Sequence, residues 1–102
     1  MIRPGAICPR RDTDTEIYVA VLSSATHIEA ETGRVFVCPF IPGELPEGAM
    51  AFDVAVPTPT GLLLPELTQW LPVSALDEPI GNAGQQALTR ATSLVASLLG
   101  WP

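Results

Sequence analysis

Residues 16–40 read EIYVAVLSSATHIEAETGRVFVCPF. Two runs within this stretch, Glu16 to Ser23 (EIYVAVLS) and Arg34 to Phe40 (RVFVCPF), are β-branched and aromatic and have the length of strands. Pro39 has no N–H to give a ladder, so the second strand is expected to end or bulge there. The segment between them, SATHIEAETG, is polar and closes on Gly33, a hairpin-sized connection. Outward from this pair, RPGAIC near the N-terminus supplies a first strand. After Phe40, IPGELPEG reads as a loop, and Met50 to Val56 (MAFDVAV) alternates as a further strand. The apolar run LLLPELTQWLPV is interrupted at Pro65 and reads as a bent or bulged strand; Pro79 and Gly81 then close a turn.

The last segment is the one strong helix. Between Gln85 and Leu99 the apolar residues Leu88, Ala91, Val95 and Leu98 recur at spacings of three and four, widened by Leu94 and Leu99. Thr89, Arg90 and Ser93 lie off that stripe, and Gly100 is a natural stop. Four or five short strands followed by one helix predict a mainly β domain spanning residues 1–102: an antiparallel, barrel-like sheet whose open side is covered by the C-terminal α-helix.

The charges narrow the function. Five arginines and no lysine face eleven acidic residues, a formal charge of −6 that argues against tight, non-specific binding of polyanions. Cys8 and Cys38 are too few for a disulfide scaffold, and neither sits in a CxxC. With His27 as the sole histidine, no structural metal and no cofactor is expected. No apolar run is long enough to span a bilayer. The N-terminus carries its arginines after its apolar residues, without the apolar core of a signal peptide, so the expected location is cytoplasmic.

There is no P-loop, GxGxxG, HExxH or nucleophile elbow. Polar chemistry concentrates in PRRDTDTE, residues 9–16, where Arg10 and Arg11 stand beside Thr13. Guanidinium forks fit phosphate oxygens and stabilise charge developing on a phosphorane. The plain alternative is a solvated loop whose arginines pair with its own acids. His27 alone has an unperturbed pKa suited to proton transfer near neutrality, or it is an exposed loop histidine. Ser23 and Ser24 end a strand where hydroxyls can face a groove, or simply begin a turn. Trp70 and Trp101 offer faces for base stacking, or belong to core and interface.

Taken together, RPGAIC, IYVAVLSS, GRVFVCPFIPG and the long stretch from Gly61 to Pro102 resemble the MazF/PemK toxins of the MazF/CcdB superfamily. In that family a strand opens with Gly, reaches Leu ten residues on (here Gly61 and Leu71), and continues into a short helical turn (Val73 to Leu76). Ile80–Gly81 and an Ala- and Leu-rich helix follow. The closing GWP is similar to mycobacterial members. The resemblance implies an SH3-like antiparallel barrel with a C-terminal helix and a homodimer. It also implies a metal-independent, sequence-specific endoribonuclease acting on single-stranded RNA by 2′-hydroxyl attack, held in check by a MazE-like antitoxin. The family's catalytic arginine falls here at Ile17 or Tyr18 and its catalytic threonine near Ile41, so neither residue is present. Arg10, Arg11 and Thr13 are therefore the catalytic candidates, entering from the preceding loop, with Ser23, Ser24 and His27 as RNA-binding candidates. CcdB-type gyrase poisons share the YVAVLS-like strand, a GR-led third strand and a terminal Trp-Gly pair, inverted here as Gly100–Trp101. They supply the alternative of a non-enzymatic toxin. A third possibility is an inactive or antitoxin-sequestering homologue.

Overall fold

The computed structural model describes residues 2–100. Expectations that rest on Trp101 and Pro102 lie outside the described residues. Seven short strands form one curled, wholly antiparallel sheet: β1 (Ala6–Pro9), β2 (Tyr18–Val21), β3 (Arg34–Pro42), β4 (Val54–Val56), β5 (Gly61–Leu63), β6 (Gln69–Pro72) and β7 (Gly81–Asn82). The order is β4-β5-β3-β2-β1-β7, with β6 also on β3. The expected antiparallel, barrel-like sheet is present as a curled half-barrel, with the expected C-terminal helix, α2 (Gln85–Leu98).

Strand alternation divides the apolar residues between two faces. Ala20 and Leu22, Cys38 and Phe40, and Val54, Val56 and Leu63 form one core, which α2 covers. The helix buries Ala87 and Ala91 there, with Leu88, Leu94 and Val95 packed around them. Small residues at the contact let the helix approach the sheet closely. Leu98 and Leu99, counted on the stripe by spacing, are exposed past the edge of the sheet. Val19, Val21, Val35 and Val37 point the other way and meet Leu71 and Leu76 inside the curl of the sheet.

Four local expectations change. The strand β3 runs straight through Pro39 to Pro42. The Pro39 carbonyl accepts from Leu64 N–H on the β5/β6 side, and a residue's N and C=O share one side of a strand. Its missing donor thus falls where a 3₁₀ turn, Pro65–Leu67, separates β5 from β6. That turn is the interruption read at Pro65; both halves of the bent strand still pair with β3. Next, the 24–33 connection contains a five-residue helix, α1 (Ala25–Glu29), whose N-cap is Ser24. Further along, only Val54–Val56 of the MAFDVAV run is strand. Asp53 is buried, and its carboxylate accepts from Gly48 N–H (2.9 and 3.0 Å) and Met50 N–H (3.1 Å), which turns residues 48–52 into a tight loop. Gly81–Asn82, expected as a turn, pairs with β1 as β7.

Gly61 shows why its strand opens with glycine. A Cβ there would meet the Phe40 ring at 2.6 Å and also collide with the Ile41 carbonyl. Gly61→Ala is expected to destabilise the fold by about 1–3 kcal/mol through overpacking, read as a lower urea midpoint. The two thiols are both buried, Cys8 in the inner core and Cys38 in the helix-covered one. Facing opposite sides of the sheet, they are not placed for a disulfide. Burial pushes both thiols up, that of Cys38 to about 12. Because the thiolate is the reactive form, an aromatic disulfide reagent at pH 8 should label neither cysteine until denaturant is added.

Candidate functional site

The RRDTDT segment spans the β1–β2 connection and is stapled at both ends. Arg10 N–H donates to the Ile17 carbonyl (2.8 Å), Arg11 N–H to Ala75 (2.9 Å), and Asp77 N–H to Pro9 (2.8 Å). Its cations are paired. Arg10 grips Asp12 through Nε (2.8 Å) and Nη2 (2.7 Å), a bidentate fork. Arg11 Nη2 lies 3.5 Å from Asp77 Oδ1, at the limit of contact. Thr13 Oγ1 donates to the Thr15 carbonyl (2.8 Å), and the Tyr18 hydroxyl donates to Glu16. Of the pairing within the loop considered from sequence, Arg10–Asp12 is present, whereas Arg11 turns to Asp77 outside the loop. Hydrogen bonding to Arg10 holds the Asp12 carboxyl below the usual range, and the same bond raises Arg10.

The two positions onto which the resemblance maps the catalytic groups lie together. Tyr18 pairs with Phe40, so Ile17, just before β2, and Ile41 on β3 are the next positions out, and both are partly exposed. The bond from Arg10 N–H to Ile17 brings a guanidinium-bearing residue directly beside that pair.

Ser23, Ser24 and His27 gather at the opposite end of β2. Ser24 Oγ accepts from His27 N–H (3.2 Å) and caps α1. Ser23 is buried; its Oγ accepts from Phe36 N–H (2.8 Å) and sits 3.0 Å from His27 Nδ1. Thr32 Oγ1 lies 3.4 Å from Nε2 of the same ring. Two residues that sequence spacing did not join to this group, Phe36 and Trp70, complete it. They are cross-strand partners on β3 and β6, with ring centroids 4.8 Å apart, and the Trp70 ring meets His27 edge-on at 5.3 Å. In one protomer, then, the catalytic and RNA-binding candidates occupy opposite ends of β2.

A cavity of about 780 Å³ reaches from Arg11 to the 28–34 segment. Ile28, Val35 and Leu76 form its floor. Arg11 and Arg34 line it, but so do Glu29, Glu31, Asp77 and Glu78. Two cations among four carboxylates leave an excess of negative charge that disfavours a phosphate. Arg10 and Thr13 are not part of this lining. Among the described residues no three His, Cys, Asp or Glu side chains are placed to hold a metal ion, and no helix is long and apolar enough to cross a membrane.

This sheet and helix place the chain among proteins of the MazF fold. It superimposes on a MazE–MazF structure from Deinococcus radiodurans with a TM-score of 0.79 at 23% identity, covering 99% of this chain and 97% of the other. An endoribonuclease in complex with its cognate antitoxin from a mycobacterial species gives 0.80 at 14% identity, covering 100% and 98%. At such identities the likeness is one of fold. The sequence goes further. Residues 5–98 match the model of the family described as type II toxin-antitoxin system toxin Rv0299. The chain is 61% identical over 99 residues to toxin Rv0299 of Mycobacterium tuberculosis (strain ATCC 25618 / H37Rv), covering 97% of this chain and 99% of that one. The chain belongs to the Rv0299 family of type II toxin–antitoxin toxins.

The Arg10–Asp12 fork has a measurable signature. The Asp12 carboxyl should titrate below the ordinary aspartate range by carbon-detected NMR, and Arg10→Ala should return it there. Since the folded-state value is depressed, the fork persists above it and opens only as pH falls through it. An Asp12 that titrates normally in the unaltered protein would show that the fork is not kept in solution.

Proposed function

We propose that this toxin is an endoribonuclease that cleaves single-stranded RNA at specific sequences without a metal ion, acts as a homodimer of one-domain chains, and is neutralised by a cognate antitoxin. The observation that carries this is the match, over nearly the whole chain, to the fold of endoribonucleases, one of them in complex with its cognate antitoxin. In the reaction the 2′-oxygen attacks the adjacent phosphorus and the bond to the 5′-oxygen breaks. The 2′-hydroxyl proton is lost, the leaving 5′-oxygen gains one, and the products are a 2′,3′-cyclic phosphate and a 5′-hydroxyl.

Arg10 is the residue to which we assign stabilisation of the phosphorane, because its backbone lies beside Ile17 and its guanidinium already holds a planar oxyanion, the Asp12 carboxylate. The scissile phosphate takes the place of Asp12 on that fork. Arg11 and Thr13 assist from the same loop. Ser23, Ser24 and His27 belong to the RNA-binding surface, the serines by fixing α1 and the imidazole. Exposed Ile41, Leu45, Met50 and Phe52 supply apolar surface for the partner protomer.

The test is incubation of the purified full-length protein with a long single-stranded RNA in EDTA. The expected products carry 5′-hydroxyl ends at a short recurring sequence. Arg10→Ala should slow cleavage by about 10²–10³-fold, the loss typical of one donor to a developing oxyanion. Arg11→Ala and Thr13→Ala should lose less. Intact RNA from a protein that inhibits gyrase supercoiling would overturn the assignment in favour of a non-enzymatic toxin.

A further inference from the structure

Trp70 is 53% exposed, yet two other elements hold its indole. Phe36 supports it from the neighbouring strand, and His27 meets it from the middle of α1. A cross-strand Phe–Trp pair would by itself account for local sheet stability. The histidine needs a further explanation, because both of its nitrogens have partners. Ser23 Oγ, which accepts from Phe36 N–H, sits 3.0 Å from His27 Nδ1. Thr32 Oγ1 lies 3.4 Å from Nε2 on the other side of the ring. Thr32 is itself tied to the Arg34 backbone at 3.3 Å. The result is a fixed aromatic shelf with a wet indole.

Charge indicates what such a shelf is for. Of the five arginines, Arg10, Arg11 and Arg90 are each paired with a carboxylate, the last with Glu47. A chain of formal charge −6 gains little from neutralising phosphates. Stacking of an unpaired base on an aromatic face contributes about 1–3 kcal/mol without any net positive charge. Arg34, exposed and two residues before Phe36 on the same face of β3, adds one cation close by.

We propose that Trp70, backed by Phe36 and His27, is the stacking platform for one unpaired base of single-stranded RNA, with Ser23 and Thr32 as positioning residues for the imidazole. This inference rests on the ribonuclease assignment above. It puts a base-binding subsite at the far end of β2 from the RRDTDT loop.

Trp70 and Trp101 are the two tryptophans of the chain, so Trp101→Phe isolates the signal of Trp70. A 2′-O-methyl oligoribonucleotide of mixed sequence, which lacks the attacking hydroxyl, should quench that fluorescence saturably. In the otherwise unaltered protein, Trp70→Ala should weaken binding of the oligonucleotide by about 5- to 150-fold and raise KM more than it lowers kcat. Trp70→Phe, which keeps an aromatic face, should recover part of the loss. Ser23→Ala should shift the resting Trp70 emission and weaken binding less than Trp70→Ala. If the unaltered protein cuts RNA and Trp70→Ala cuts it with unchanged KM, the platform is wrong while the ribonuclease stands. If Trp70→Ala instead loses dimerisation or antitoxin binding with RNA affinity intact, the shelf is a protein contact and the proposal is likewise overturned. A protein that neither binds nor cuts RNA removes both assignments.

Discussion

Nine residues, Arg34–Pro42, hydrogen-bond along one edge to β2 and along the other to both β5 and β6. This strand also feeds both cores: Cys38 and Phe40 lie under α2, while Val35 and Val37 fill the inside of the curl. Its constraint is the proline in the middle. Pro39 is tolerated because its N side opens onto the gap between β5 and β6, where the ladder is interrupted. The 3₁₀ turn Pro65–Leu67 makes that gap, and so allows one bent segment to pair twice with the same strand. The second pairing sets Trp70 opposite Phe36. The first end of β3 thus carries the aromatic shelf, and its other end carries Ile41, beside the catalytic-loop candidates.

Much of this was legible in the sequence. The β-branched runs around Val19–Val21 and Val35–Val37 announced the central strands, and the three- and four-residue spacing in 85–98 announced the helix. What was not legible came from partners distant along the chain. The alternation of MAFDVAV looked like a strand, but the Asp53 carboxylate binds Gly48 and Met50 N–H, and the strand starts only at Val54. The helix α1 buries no residue, so no apolar period marks it; Ser24 at its N-cap was the one available signal. The meeting of His27, Phe36 and Trp70 depends on the β3–β6 register and has no signature in spacing.

The candidate site follows the same division. The RRDTDT loop stood out by composition, and the Arg10–Asp12 pairing was anticipated as the plain alternative, though that of Arg11 with the distant Asp77 was not. Its position relative to Ile17 and Ile41 appeared only with the ladder. The resemblance puts a catalytic arginine near Ile17 and a threonine near Ile41, and neither is present here. On the proposed reading a guanidinium from the preceding loop takes the arginine's place; the alternative is that the reaction is lost. The Arg10–Ile17 bond supports the proposed reading, since it needs only a change of partner on an existing fork, from Asp12 to a phosphate.

If this toxin acts by scission of RNA, its mark is left on the transcripts of the cell. Transcriptome-wide mapping of 5′-hydroxyl RNA ends in cells expressing the chain, compared with cells expressing the Arg10→Ala variant, reads that mark. New ends are expected at one short recurring sequence with the unaltered chain, and their near absence with the variant. Arrest by both proteins with no new 5′-hydroxyl ends would contradict that mode of action.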